Sequence, residues 1–347
     1  MSQTAIVVDG SAGEGGGQIL RSSLALSLVT GTPLKITEIR ARRRKPGLMR
    51  QHLTAVRAAA EVGGATVEGD ELRSLRLSFV PGQVKAGDYR FSVGTAGSIT
   101  LVLQTVLWPL LLAPGRSTLV LEGGTHNPMA PPFDHVERSF VPLLRRMGAS
   151  VELELRRPGF YPAGGGSMVV TIEGGRPLSR LDCLERGPLL GARARALVSE
   201  LPVSVARREL NVVHERLGWT RKELEVERID ARGPGNVLLL EVQHEGGVTV
   251  VSSFGEKGVL AEQVADNGIN ELDKFLAAQV PIDSHLADQL LIPMALAGGG
   301  SMRTTKPTMH TRSNAMLIER WLPVSIGLTE QAAGAWQIDV TPRAEDS

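Results

Sequence analysis

Cysteine is all but missing. Cys183 is the only one in 347 residues, so no disulfide can close within the chain, which fits a reducing compartment. Aromatic residues are scarce too, at 4%, so Leu, Val, Ala and Ile must supply most of the core. That scarcity weighs against a module that binds RNA by stacking bases on rings. Neither charge sign dominates: the net charge is +1, so there is no global polycation, and a nucleic-acid partner would need a local patch. The N-terminus, MSQTAIVVDG, has no basic region, and its apolar run is too short for a signal peptide. The longest apolar run, Ile99 to Ala113, is broken by Gln104 and Pro109 and falls short of the ~20 residues of a membrane span. Together these absences point to a cytoplasmic protein with no membrane partner.

What is present is an ordinary globular chain rich in glycine. Apolar residues make up 42%, and there are 39 glycines, which cluster beside periodic segments rather than in a linker tract. The length suggests about two domains. Two stretches look like copies of each other. EGGGQILRSSLALSLVTGTPLKITEIR begins at Glu14, and VGTAGSITLVLQTVLWPLLLAPGRSTLVLEG begins at Val93. Each reads as a Gly-rich loop, a helix, a Gly turn and a strand, and each is followed by a second helix, a small turn and another strand. His52 matches His135, and Gly64 matches Gly148. A third copy is split: a helix from about Val259, then DSHLADQLLIPMALAGGGSMRTTKP as helix, Gly turn and strand.

The predicted fold class is therefore α/β (α+β): three repeated units of β-sheet and two helices forming a large domain, residues 1–185 and 279–347. A smaller α/β domain, 186–278, is inserted into the third unit. Within that insert, ARARALVSELPVSVARRELNVVHERLG reads as helical, and the stretch from Glu223 to Gly255 reads as three strands.

Several segments offer chemistry. DGSAGEGGGQILRSSL, residues 9–24, is a Gly-rich loop opening a helix. Free N–H groups and a positive dipole end suit phosphate there, and Glu14 makes sense in such a loop if a divalent cation bridges. A purely structural turn accounts for the same pattern. From Ile39 to Ala60 there are seven Lys or Arg and no acid. Arg forks match phosphate oxygens, although a solvated charged turn is the plainer reading. EGGTHNPMAPPFDH and RRPGFYPAGGGSM are loops with polar, aromatic and Gly-rich features. DSHLADQ sets His285, Asp288 and Gln289 on one helical face by i, i+3, i+4 spacing. The histidines show no pairing that suggests a metal cluster. In KPTMHTRSN, residues 306–314, His310 stands among small polar residues and two cations. An unperturbed imidazole titrates at about 6.5, so a neutral nucleophile is available.

Taken in order, DGSAGEGGGQILRSSLALS, RARRRKPGLMRQHLTA, GTAGSITLVLQ, GGTHNPMAPP, GFYPAGGG and HLADQLLIPMALAGGG resemble the RNA 3′-terminal phosphate cyclase family from about Val7 to Leu322. The resemblance implies ATP-dependent conversion of an RNA 3′-phosphate end to a 2′,3′-cyclic phosphate, with Mg²⁺ or Mn²⁺. It also implies a covalent enzyme–AMP intermediate on the histidine matching His310. Gln104, Pro131 and the run His285, Leu286, Ala287, Asp288, Gln289 match the family's ATP pocket. Glu14 matches its metal-linked carboxylate, and Arg21, Arg40, Arg43, Arg50 and Gln51 match its phosphate site. His285 stands where some members have tyrosine, and Pro158 where the signature usually has Arg or His. Rival readings are a non-catalytic cyclase-like protein of ribosome assembly, an enolpyruvate-transferase-like enzyme and a plain RNA-binding module. The oligomeric state is left open, a homodimer included.

Overall fold

The computed structural model describes residues 4–332 and 334–343. Its first unit runs β1 (Ile6–Asp9), α1 (Gly17–Thr30), β2 (Leu34–Thr37), α2 (Arg50–Gly63), β3 (Thr66–Glu68) and β4 (Leu77–Val80). β1 and β2 are parallel, while β4 lies antiparallel to both β2 and β3, giving the order β1-β2-β4-β3. Both helices stop at a glycine in the left-handed region, Gly31 at φ 69° and Gly64 at φ 54°, where a Cβ would be strained.

The second unit repeats the plan. It runs β5 (Asp88–Ser92), α3 (Ile99–Leu112), β6 (Gly115–Gly123), then α4 (Phe133–His135), a π turn (Val136–Phe140) and α5 (Val141–Arg146), then β7 (Ser150–Arg157) and β8 (Gly166–Gly174). The order β5-β6-β8-β7 has the same parallel and antiparallel pairings.

The third unit opens with β9 (Leu181–Cys183) and is then interrupted by β10 (Leu189–Ser199), α6 (Val203–Leu217), β11 (Leu224–Arg228), β12 (Gly235–His244), β13 (Gly247–Phe254) and α7 (Ala261–Ala278). These strands form a separate sheet, β11-β10-β12-β13. The unit resumes with α8 (Ser284–Leu296), β14 (Gly300–Thr305), α9 (Met309–Ile318), β15 (Val324–Ala332) and β16 (Ala335–Pro342). Its order, β9-β14-β16-β15, is the same pattern again.

The helices of all three units share one hydrophobic core, with Leu24, Leu103, Leu107, Leu144 and Leu290 fully or almost fully buried. That core brings α1 against α2, α3 and α9.

Two expectations need correction. ALVS and the alternating residues before it are strand β10, not helix. Ala194, Ala196 and Val198 pack into one apolar cluster while Leu197 between them packs into another, so successive side chains turn to opposite faces. The helix expected from about Val259 begins at Ala261 and does not serve the third repeat. Its Ala265, Ile269, Leu272 and Phe275 pack with Ala194, Leu238 and Leu240 of the interrupting sheet. The three strands expected after Glu223 are present as β11, β12 and β13.

The candidate active site

His52, His135 and His310 all occupy the first turn of the second helix in their units. His135 is buried, whereas His310 has 43% of its side chain exposed. Thr308 caps α9 by accepting from the Thr311 N–H, which fixes the helix start and presents His310 beside α1.

Three side chains orient the ring. Gln18 Oε1 receives the His310 Nδ1 proton at 2.7 Å. Gln18 can offer only that oxygen, because its Nε2 donates to Asp288 at 2.6 and 2.7 Å. Asn314, one turn after His310 on α9, donates to the same Asp288 carboxylate at 3.1 Å. An amide carbonyl accepts but cannot donate, so Nδ1 carries the hydrogen and the lone pair of a neutral ring lies on Nε2. Burial pushes the Asp288 pKa up, opposed by His310, Gln18, Asn314 and Arg21.

Nε2 meets Glu14. The Glu14 Oε2 lies close to it but makes no properly directed hydrogen bond, while Oε1 receives Arg43 Nη2 at 2.7 Å. Glu14 reaches this position because its loop runs hard against α9. Gly13 sits at φ +57°, and a Cβ there would come within 2.0 Å of Ser313 Oγ.

Behind this pair lies a basic wall. Arg21 is driven down to about 10 by burial, with Asp288 opposing. Arg40 spends Nη1 on the Lys45 and Gly47 carbonyls, both at 2.8 Å, which folds its own loop and fixes the guanidinium. His52 accepts the Met49 N–H at Nδ1, 3.3 Å away. Burial and the charges of Arg40 and Arg21 lower its pKa to about 3, so it is a neutral group here. Gly17 has no side chain to spare: a Cβ would meet His52 Nε2 at 2.4 Å and Arg21 Nη1 at 2.9 Å.

The remaining expected residues form a neighbouring group. Gln104 Nε2 donates to Gln289 Oε1 at 3.2 Å, and the Pro131 carbonyl accepts from Thr100 at 2.8 Å, one turn before Gln104 on α3. His285 is exposed at the start of α8, where Asp283 accepts the His285 and Leu286 N–H groups at 2.9 and 3.0 Å. Leu286 and Ala287 are buried in the core, so their side chains do not face solvent. Gln51 accepts the Ser98 N–H at 2.8 Å and ties the start of α2 to that of α3. Arg50, beside it, is exposed.

Sequence reasoning passed over Gln18, although a lone amide in the first turn of an apolar helix is a visible signal. It also gave no role to Asn314 or His52.

A divalent cation fits this donor set in one way only. Among the described residues no three His, Cys, Asp or Glu side chains cluster as a metal cage. Glu14, with one oxygen lacking a directed partner, is a single carboxylate of the kind that holds Mg²⁺ together with substrate phosphates.

A separate cleft of about 520 Å³ lies between the second unit and the interrupting sheet, and Pro158 lines it. His126 is buried there, donating from Nε2 to Asp134 at 2.9 Å and accepting at Nδ1 from Thr125 at 2.8 Å. Arg195 pairs with Asp134 and, at 3.1 Å, with Glu227. Burial opposes ionisation of Asp134, but His126 and Arg195 hold its pKa well below the ordinary value.

Fold and site together define an α/β protein of three like units with a tautomer-locked histidine facing a carboxylate and a basic wall. A family model described as RNA 3′-terminal phosphate cyclase matches residues 12–328. The chain belongs to that family. It is 52% identical over 327 residues to an RNA 3′-terminal phosphate cyclase of Pseudomonas fluorescens, covering 94% of this chain and 95% of the relative. A protein of the same name from Koribacter versatilis is 49% identical, covering 94% and 92%. One from Salmonella paratyphi C is 45% identical, covering 99% of both chains. Among the described residues no helix is long and apolar enough to cross a membrane.

Proposed function

We propose that this chain is an RNA 3′-terminal phosphate cyclase that uses ATP and works through a His310–AMP intermediate. The observation that carries the reading is the Gln18–His310 hydrogen bond, which leaves Nε2 as the nucleophilic nitrogen.

In the first step Nε2 attacks the α-phosphorus of ATP, an N–P bond forms, and pyrophosphate leaves with the electrons of the broken P–O bond. The ring becomes positive, and Gln18 Oε1 keeps its hydrogen bond to the Nδ1 proton throughout. An oxygen of the RNA 3′-phosphate then attacks the same phosphorus, the N–P bond breaks, and a phosphoanhydride forms. Last, the neighbouring 2′-oxygen attacks the 3′-phosphorus, loses its proton and expels AMP. That closure is intramolecular, so proximity supplies much of the acceleration.

Arg21, Arg40, Arg43 and Arg50 supply cationic donors for the phosphates of ATP and the RNA end, with Gln51 at the same helix start. Glu14 would hold Mg²⁺ or Mn²⁺, which supplies charge neutralisation at the phosphates when bound. Gln104, Pro131 and the His285–Gln289 turn border the nucleotide. Residues 186–278 are taken as an inserted domain, 1–185 and 279–347 as the catalytic one, and the cytoplasm as its compartment.

The test uses the protein with α-labelled ATP and magnesium or manganese, without RNA. Acid-labile, alkali-stable label on the wild type, absent from His310→Ala, is expected. Label that persists in His310→Ala overturns the assignment of the nucleophile, and its absence from the wild type overturns the adenylylation route.

A further inference from the structure

Aromatic rings are scarce in this chain, and among the described residues all but one are buried or half-buried. The exception is Tyr161, with 67% of its surface exposed. It sits in the connection between β7 and β8, and none of the chemistry above uses it.

The turn is built to hold that ring out. Phe160, the residue before it, is buried and stacks on His126 with ring centroids 5.2 Å apart. The Gly164 N–H donates back to the Phe160 carbonyl at 2.6 Å. Gly164 and Gly165 lie in the left-handed region, at φ 67° and 73°, and close the turn where a side chain would be strained. One ring is thus an anchor and its neighbour a platform.

Two guanidinium groups flank the turn. Arg157 donates from Nε to the Gly165 carbonyl at 2.5 Å, and a Cβ on Gly165 would lie 3.2 Å from Cδ of Arg232. Both arginines are exposed. The turn also adjoins residues proposed to bind the RNA end. A Cβ on Gly164 would lie 2.8 Å from the Ala96 Cα. In the 94–98 loop that holds Ala96, the Ser98 N–H donates to Gln51 at 2.8 Å, and a Cβ on Gly94 would lie 3.9 Å from Arg50 Nη1. Asn127 braces that loop by donating to the Ala96 carbonyl at 2.6 Å. From Arg50 to Tyr161 the surface therefore crosses only two short loops.

An aromatic face beside cations suits single-stranded nucleic acid: the backbone follows the positive groups, and a base of any identity lies on the ring. We infer that Tyr161 is a stacking platform for a base of the RNA strand upstream of its 3′-phosphate, with Arg157 and Arg232 on the backbone phosphates. The inference rests on the reading that the chain acts on an RNA 3′ end, and it adds that the strand next to that end is held unpaired.

The experiment measures equilibrium binding of 3′-phosphate RNAs to the wild type, Tyr161→Ala and Tyr161→Phe, using a dinucleotide and an oligomer of about ten nucleotides. Tyr161→Ala is expected to bind the oligomer about 5- to 100-fold more weakly, the worth of one stacked base. The dinucleotide, too short to reach the ring, should show no such loss. Tyr161→Phe keeps the ring and should hold the oligomer as the wild type does. Removing single bases from the oligomer should reveal one position whose loss weakens the wild type by the same factor and leaves Tyr161→Ala unaffected. With Arg157→Ala and Arg232→Ala combined, the slope of log Kd against log salt should fall by about 1.4, two phosphates at about 0.7 each. Equal oligomer binding by Tyr161→Ala and the wild type, or an equal loss with oligomer and dinucleotide, overturns the platform alone. A wild type that binds neither RNA overturns the functional reading as well.

Discussion

Gln18 and His310 are 292 residues apart in sequence and share a 2.7 Å hydrogen bond. The bond is directional because Asp288 occupies the other end of the Gln18 amide. One carboxylate thereby decides which ring nitrogen of His310 bears the proton.

Replacing Gln18 with leucine keeps the volume and removes the acceptor. The Nδ1 proton is then free to move to Nε2, and the Asp288 carboxylate loses a donor. Single-turnover labelling from ATP is expected to slow by about 10- to 100-fold, the equivalent of one hydrogen bond to a charged group. Apparent affinity for ATP should change much less. A labelling rate equal to wild type would show that something other than Gln18 sets the tautomer.

Arg195 and Asp134 are both largely buried, with side chains 13% and 8% exposed, and they join β10 of the interrupting sheet to the second unit. Arg195→Met leaves an uncompensated carboxylate and is expected to cost about 3–5 kcal/mol of unfolding free energy. Adding Asp134→Asn removes that charge, so the double variant should recover much of the loss. Denaturant midpoints for the single and double variants check both statements, and an additive pair would mean the two groups act independently.

Glu209, on α6, is fully buried beside Asn236. Burial raises its pKa from the ordinary 4.5 to about 7, with the Asn236 hydrogen bond opposing. The folded state thus binds a proton more tightly than the unfolded one. The contribution is fully present below about pH 4.5 and is lost as the pH rises through about 7. In full this is on the order of 3 kcal/mol. Glu209→Gln should flatten that part of the stability profile and melt higher than wild type at pH 8. Parallel melting curves from pH 5 to pH 8 would contradict it.

The fold was legible where glycine marked the helix ends. The stops at Gly31 and Gly64 and the matched pairs His52/His135 and Gly64/Gly148 reveal two copies of one plan without coordinates. The third copy was harder because its first strand, β9, is three residues long and the chain leaves it for the interrupting sheet. ARARALVS misled because Ala and Arg favour helices by propensity, whereas the segment is a strand covered on both faces. α7 was misplaced because amphipathic spacing tells that a face is buried, not which sheet covers it.

At the site, the motif residues Glu14, Arg21, Arg43, Asp288 and His310 do converge. Asp288, expected at the nucleotide edge, also grips Gln18. Gln18 stood in plain view in the first turn of α1, but its pairing with a residue 292 positions away left no local trace.

The threefold plan has a chemical consequence. A helix start that carries an imidazole has been built three times at equivalent places, and the surroundings alone give each ring its task. Deep packing holds His52 neutral within the arginine wall and turns His135 into a fixed link between amides. His310, with the thinnest cover, keeps an open face. Reactivity in this molecule is set less by which side chain is present than by how much protein has been folded over it.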